Sequence, residues 1–328
     1  MNFYGTLGDR CGDGTTLLAM FRAGMTGLRL NLSHTSLTEN LPFLREVYFP
    51  AAREAGLSAP HLIADLQGPE VRVGTLPAPI TLSEGETLTL GQEGIPVPPV
   101  VLSAARPGQQ ISLDDSALLL EVTGVLPRSL SCRVVRGGVL RSRKSLAILG
   151  QELDLPVLTP EDLANLDAAG QAGVTHVLQS FVRSARDVEQ VREELRCRGL
   201  DHIRIMAKIE NRQGLAHLEE ILPVCDEICI ARGDLGNAIS LWQLPRIQKD
   251  IARRCVRAGV PFCLVTQLLW SMEQRAVPTR AEVSDIYNGV LDGAASLMLT
   301  GETAVGAHPV QAMEYLVRTA RTALEDIL

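Results

Sequence analysis

The stretch Gly27-Leu28-Arg29-Leu30-Asn31-Leu32-Ser33-His34 alternates polar side chains with leucine along the length of one strand. Successive residues of an extended chain point to opposite faces, so Arg29, Asn31 and Ser33 share one face and the leucines the other. An edge strand with a wet face accommodates this pattern. A strand in a closed barrel does so only if the polar face opens into the barrel's mouth, because helices cover the outside.

The rest of the chain favours the barrel. Short β-rich runs recur at Phe3 to Leu7, Gly27 to Ser33, His61 to Gln67, Thr175 to Ser180, Ile203 to Glu210, Glu227 to Ala231, Pro261 to Thr266 and Ser296 to Thr300. Between them lie amphipathic segments such as Thr15 to Ala23, Pro160 to Ala172, Ser184 to Cys197, Leu244 to Ala258 and Pro309 to Leu328. Eight β/α units ending on a helix predict an α/β chain folded as a (β/α)8 TIM barrel.

One connection is anomalous. Between the third strand and the helix near Pro160 lie about ninety residues with hardly any helical period. There, runs such as Thr81-Leu82-Ser83-Glu84-Gly85-Glu86-Thr87-Leu88-Thr89-Leu90 alternate with Pro- and Gly-rich turns. The pattern suits an inserted small antiparallel β-barrel. Residues 74–150 are read as this lid domain and residues 1–73 and 151–328 as the barrel. A lid inserted in a βα connection would stand over the mouth where such barrels keep their sites.

Composition narrows the function. The 328 residues carry 31 Lys+Arg against 38 Asp+Glu, a formal charge of −7, which argues against broad nucleic-acid binding but leaves small anionic substrates open. No apolar run approaches the length of a membrane span, and the N-terminus lacks a signal peptide's basic and apolar regions, so a cytoplasmic protein without a membrane partner is expected. The seven cysteines are scattered and read as reduced core thiols.

Polar residues concentrate where the strands end. Asp65 and Gln67 close the third, Lys208 and Glu210 the fifth, and the sixth runs into Ala231-Arg232-Gly233-Asp234-Leu235-Gly236. Lys208 and Glu210, two apart, point into the same cavity. An ion pair is the bland reading, but Asp234 adds a second carboxylate at the next strand end. Two carboxylates with few other protein ligands suit Mg²⁺ or Mn²⁺ completed by substrate oxygens, making Glu210 and Asp234 the expected ligands. Gly233 would leave backbone N–H groups open to an anion. With Arg29, Lys208 and the Thr266 hydroxyl, the mouth has the inventory of phosphoryl transfer or of enolate chemistry.

Over essentially its whole length the sequence resembles the pyruvate kinase family. The resemblance rests on the stretch Gly24-Met25 through His34, on Asp65-Leu66-Gln67-Gly68-Pro69-Glu70-Val71-Arg72, on Ser180-Phe181-Val182-Arg183 and Lys208-Ile209-Glu210-Asn211, and on Ala231 to Gly236, Thr266-Gln267, Pro278-Thr279-Arg280-Ala281-Glu282 and Gly301-Glu302-Thr303-Ala304. Ser112-Leu113-Asp114-Asp115 and Gly137-Gly138 through Lys144 are similar to the family's lid.

The resemblance implies phosphoryl transfer between phosphoenolpyruvate, or a close analogue, and ADP, with a metal-stabilised enolate. In that scheme Lys208 faces the transferring phosphoryl and the enolate oxygen, Arg29 holds the phosphate, and Thr266 lies where the enolate is protonated. Asn31, Ser33, Asp65 and the Leu66 carbonyl would form a K⁺ site, with Glu70 accompanying K⁺ dependence. Arg72, His34 and Lys144 would contact ADP or ATP phosphates. Two alternatives stay open: a metal-dependent lyase or decarboxylase acting on an oxoacid, and a non-catalytic paralogue that binds a phosphorylated ligand.

Departures from the family pattern cluster on the nucleotide side. Thr6-Leu7-Gly8-Asp9-Arg10-Cys11 stands in place of Thr-Ile-Gly-Pro-Ala-Ser, and Leu66-Gln67 in place of Thr-Lys. The family's further C-terminal regulatory domain has no counterpart in this sequence, so unregulated activity and a homodimer through the segment Pro278 to Glu282 are expected.

Overall fold

Eight parallel strands close on one another in a ring, each hydrogen-bonded to two neighbours. This computed structural model describes residues 1–327 apart from 115, 116, 152 and 154. The chain begins with β1 (Asn2–Thr6), β2 (Gly27–Asn31) and β3 (His61–Asp65). An insert follows with β4 (Ile80–Leu82), β5 (Thr87–Gly91), β6 (Gln110–Leu113), β7 (Leu118–Leu126), β8 (Ser129–Arg136), β9 (Gly138–Leu140) and β10 (Leu146–Ile148). The barrel resumes with β11 (His176–Gln179), β12 (Arg204–Ile209), β13 (Glu227–Ala231), β14 (Phe262–Val265) and β15 (Ser296–Met298). Each of the eight expected runs forms a barrel strand, and the surrounding helices make this a (β/α)8 barrel.

Local chemistry explains why the helices start where they do. The helix Pro160–Ala172 opens with a capping box in which Thr159 and Asp162 satisfy each other's backbone N–H groups, with Pro at a first-turn position and a left-handed Gly173 at its end. The helix Arg280–Leu291 repeats the device with Thr279 and Glu282. Apolar faces of these helices bury against the outside of the strands, in a core that includes Leu17, Leu166, Val191, Ile251, Ile286 and Leu316. A second cluster fills the inside of the barrel with Tyr4, Ile63, Leu178, Met206, Cys229, Cys263, Val265 and Met298. The centre is therefore packed solid, and chemistry is left to the strand ends.

The chain divides into two compact units, residues 1–68 with 157–328, and 69–156. The second unit is antiparallel, as expected, but differs in closure: β10-β6-β7-β8-β5 form one sheet and β4-β9 another, and among the described residues no ring of hydrogen bonds joins them. A short helix, Pro99–Ala104, starts on the last residue of the proline-rich turn expected at Pro96 to Pro99. Proline fits there because the first helical turn has no use for its missing N–H. The core of this unit is aliphatic, built from residues such as Leu90, Val101, Ile111, Leu120, Leu130 and Leu140.

The cysteines are free, and five of the seven are buried. Cys225 is half-buried and Cys197 exposed, which corrects the reading of all seven as core thiols. Cys197 ends its helix on the face turned to water. No helix among the described residues is long and apolar enough to cross a membrane.

Candidate active site

The polar face of β2 meets that of β3. Asn31 pairs in register with Asp65, and Arg29 donates to Asp65 Oδ2 through Nε at 2.7 Å and approaches it through Nη2 at 2.5 Å. Arg29 Nη1 also donates to Thr6 Oγ1 at 3.1 Å, which ties β1 into the group. The other oxygen of Asp65, Oδ1, lies 3.4 Å from Lys208 Nζ. One buried carboxylate is thus shared by two cations from different strands. Burial alone would raise the Asp65 pKa, but Lys208 and Arg29 outweigh it and hold the carboxyl below its ordinary range.

Lys208 is the hub. Its Nζ lies 2.9 Å from Glu210 Oε1 and donates to Ser180 Oγ at 3.0 Å. Burial disfavours the ammonium, yet Asp65 and Glu210 outweigh that and raise its pKa, so Lys208 stays charged inside the protein. Ser180 in turn donates to the Leu66 carbonyl at 2.7 Å. Gly68 matters to this approach, since a Cβ there would stand 2.9 Å from the Ser180 Cβ.

Glu210 is 2% exposed. Its Oε2 accepts from the Phe181 N–H at 2.8 Å, a donor aimed by a left-handed Phe181 with φ of 56°. Its Oε1 is buried against the Lys208 ammonium, 2.9 Å away. Burial raises the Glu210 pKa and the negative charge of Asp234 raises it further, against the pull of Lys208. A buried carboxylate with a raised pKa and a second carboxylate close enough to repel it fits a divalent cation. Among the described residues no group of three or more His, Cys, Asp or Glu could hold a metal, so an ion here would need oxygens that the protein does not supply.

Asp234 is half-buried and Gly233 exposed in the short helix Arg232–Ala238 that follows β13. Beside them, Thr266 follows directly on β14 with a φ of 76°. A Cβ on Gly233 would lie 3.2 Å from Thr266 Cγ2, so the missing side chain lets the threonine pack against this turn.

The remaining expected residues fall outside this network. Ser33 donates its backbone N–H to Asn31 Oδ1 at 3.2 Å. His34 is exposed, and its backbone N–H reaches the Asn31 carbonyl at 3.4 Å. Arg72 and Lys144 belong to the second unit. There Arg72 pairs with Glu70 and donates to the Arg143 carbonyl at 2.8 Å, while Lys144 pairs with Asp114 at 2.8 Å. Asp115 lies outside the described residues.

Three contributors had no role in the sequence reading. Ser180 bridges Lys208 and Leu66, Thr6 receives Arg29, and Arg232 grips the Thr266 carbonyl through Nη2 at 2.6 Å and Nε at 3.1 Å. A polar residue just at or beyond a strand end was the available signal for each.

A closed parallel barrel whose C-terminal strand ends carry buried, mutually balanced charges defines a (β/α)8-barrel enzyme. Residues 2–313 match the family model for the pyruvate kinase barrel domain. The chain is 37% identical to a pyruvate kinase of Aeropyrum pernix over 98% of its own length and 70% of that protein's. It is 36% identical to one from Geobacillus stearothermophilus over 96% and 55%, and 34% identical to one from Candida albicans over 98% and 66%. The chain belongs to the pyruvate kinase family and spans between about half and 70% of the length of these relatives.

Proposed function

We propose that the barrel catalyses phosphoryl transfer between phosphoenolpyruvate and ADP. The observation that carries the reading is Glu210, a buried carboxylate set between a charged lysine 2.9 Å from its Oε1 and a second carboxylate, Asp234, that raises its pKa. That is an arrangement for a cation and an anionic substrate together. The relatives' shared name supports the same activity, and neither an oxoacid lyase nor a non-catalytic paralogue is favoured by it.

Metal dependence is general in this family, and Glu210 with Asp234 would hold the ion, Mg²⁺ or Mn²⁺. When bound, it supplies positive charge to the substrate's oxygens. Arg29 binds the phosphoryl group. Lys208, kept protonated by Asp65 and Glu210, stabilises charge on the transferring phosphoryl and on the enolate oxygen left behind. The backbone at Gly233 receives the substrate carboxylate. Thr266 delivers a proton to the enolate carbon: a C–H bond forms as its O–H breaks, and water returns the proton to Oγ1. Asn31, Ser33, Asp65 and the Leu66 carbonyl make an all-oxygen set suited to K⁺.

Arg72, His34 and Lys144 are assigned to the nucleotide phosphates, with residues 74–150 as the lid and residues 1–73 and 151–328 as the catalytic barrel. The assembly proposed is a homodimer through the segment Pro278 to Glu282, and the location is the cytoplasm, without nucleic-acid or membrane partners. The activity test is pyruvate formation from phosphoenolpyruvate followed by a coupled dehydrogenase assay. The reading requires dependence on both ADP and a divalent ion. Pyruvate released without ADP would replace it with a phosphatase or lyase.

A further inference from the structure

The turn after β14 is held in a conformation its residues do not favour. Thr266 and Gln267 are consecutive non-glycine residues with positive φ, 76° and 55°, and Thr266 is β-branched. Such a pair persists only where neighbours over-determine it. Two side chains do so here, one from each flanking strand end, and a third orients the first.

On the β13 side, Arg232 is 12% exposed and closes on the turn from above the strand. Its Nη2 and Nε both donate to the Thr266 carbonyl, at 2.6 and 3.1 Å, and Nε reaches the Val265 carbonyl at 3.3 Å. The outer nitrogen, Nη1, pairs with Asp285 on the helix Arg280–Leu291 at 2.5 Å, which fixes the plane of the guanidinium. On the β15 side, Glu302 is 1% exposed. Its Oε1 accepts the Leu269 N–H at 3.0 Å, and its Oε2 accepts the Thr300 N–H at 2.7 Å. The guanidinium thus takes the turn's first carbonyl and the carboxylate takes its last N–H.

We propose that Arg232, oriented by Asp285, and Glu302 are positioning residues that hold the strained turn so that the Thr266 hydroxyl stands at the point of proton delivery. The role rests on the phosphotransfer reading and deepens it by separating the machinery of proton transfer from that of phosphoryl transfer. None of the three need touch substrate. Arg232 acts at a backbone carbonyl, so only its planar fork, and not its charge alone, serves.

By microscopic reversibility, the step that protonates the enolate also exchanges the methyl protons of pyruvate with solvent. The test is a double-substitution cycle in two assays: deuterium uptake into pyruvate in D₂O followed by ¹H NMR, and phosphoryl transfer to ADP followed by ³¹P NMR. Arg232→Lys should slow deuterium uptake at least tenfold in the wild-type background. In a Thr266→Val background it should add less than twofold, because the hydroxyl it positions is already gone. Glu302→Gln keeps one acceptor, for the Leu269 N–H, and should lose less of the exchange than Glu302→Ala, which should behave like Arg232→Lys; this pair serves if the Arg232 variant does not fold. Losses of equal size in both backgrounds, or none in the wild-type background, would overturn the positioning role while leaving the phosphotransfer reading intact. A wild-type protein inactive in both assays would overturn both.

Discussion

The ammonium of Lys208 stands 2.9 Å from Oε1 of Glu210, two positions further along the chain, and 3.4 Å from Oδ1 of Asp65. The ammonium is shared, so a cation arriving at Glu210 can take Oε1 while Lys208 keeps its contacts with Asp65 and Ser180.

Divalent ions should therefore bind through Glu210 and Asp234 weakly by themselves and more tightly when a substrate oxyanion completes the shell. Calorimetric titration of Mg²⁺ or Mn²⁺ with and without oxalate measures the difference. The Glu210→Gln, Asp234→Asn double variant should lose the oxalate-dependent gain; unchanged binding by that variant would assign the metal elsewhere.

Replacing Lys208 with Met should lower turnover by a factor on the order of 10³ or more, since its charge matters most where charge develops in the transition state. The same change strips Asp65 of one partner and should lower the apo protein's thermal midpoint. Steady-state kinetics and calorimetry on one preparation read both effects. Retained turnover would remove Lys208 from the mechanism.

Acid should weaken the barrel through two histidines at the starts of β3 and β11. His176 is buried against His61, with ring centroids 4.6 Å apart, and its Nε2 has no hydrogen-bond partner. Burial lowers the His176 pKa to about 3, with help from the nearby His61 and Arg204 charges, and burial lowers His61 as well. The unfolded chain takes up these protons near pH 6.5 and the folded one does not. Stability is then full above about pH 6.5 and declines as pH falls toward 3, by an amount on the order of 1 to 4 kcal/mol for His176. Urea unfolding at several pH values should show the slope, and His176→Gln should flatten it. An unchanged slope in that variant would place the acid-sensitive group elsewhere.

Asp162 holds both ends of the chain where it leaves and re-enters the barrel. Its carboxylate accepts from the backbone N–H groups of Gln67 at 2.9 Å, Gly68 at 3.1 Å and Thr159 at 2.9 Å, and it is fully buried. Asp162→Ala strands three donors and removes half of a capping box, so a loss of about 3 to 5 kcal/mol is expected. Denaturant midpoints give the size of the loss, and limited proteolysis should open first near residues 68 and 157. A loss below about 1 kcal/mol would mean that water replaces the carboxylate at little cost.

The barrel and much of its mouth were legible because the signals are local. Alternation in Arg29-Leu30-Asn31-Leu32-Ser33 and the two-residue spacing of Lys208 and Glu210 record which face each side chain takes, and the structure brings Arg29, Asp65, Lys208 and Glu210 into one network. What escaped depends on partners far apart in sequence. Arg232 reads as an ordinary residue of a glycine-rich turn until Thr266 and Asp285 arrive 34 and 53 positions later. Ser180 has no visible role until Lys208 and Leu66 converge on it. The pairing of the insert's strands into two sheets was not legible, because alternation fixes which face a strand buries but not which strand lies beside it.

The most direct measurement of the central claim is ³¹P NMR of the protein with phosphoenolpyruvate, ADP, Mg²⁺ and K⁺. The phosphoenolpyruvate resonance should decline as the γ-phosphate of ATP grows in equal amount, and neither should change with the Lys208→Met variant over the same time. Growth of inorganic phosphate in place of ATP, or an unchanged spectrum from folded wild-type protein, would contradict the phosphotransfer account.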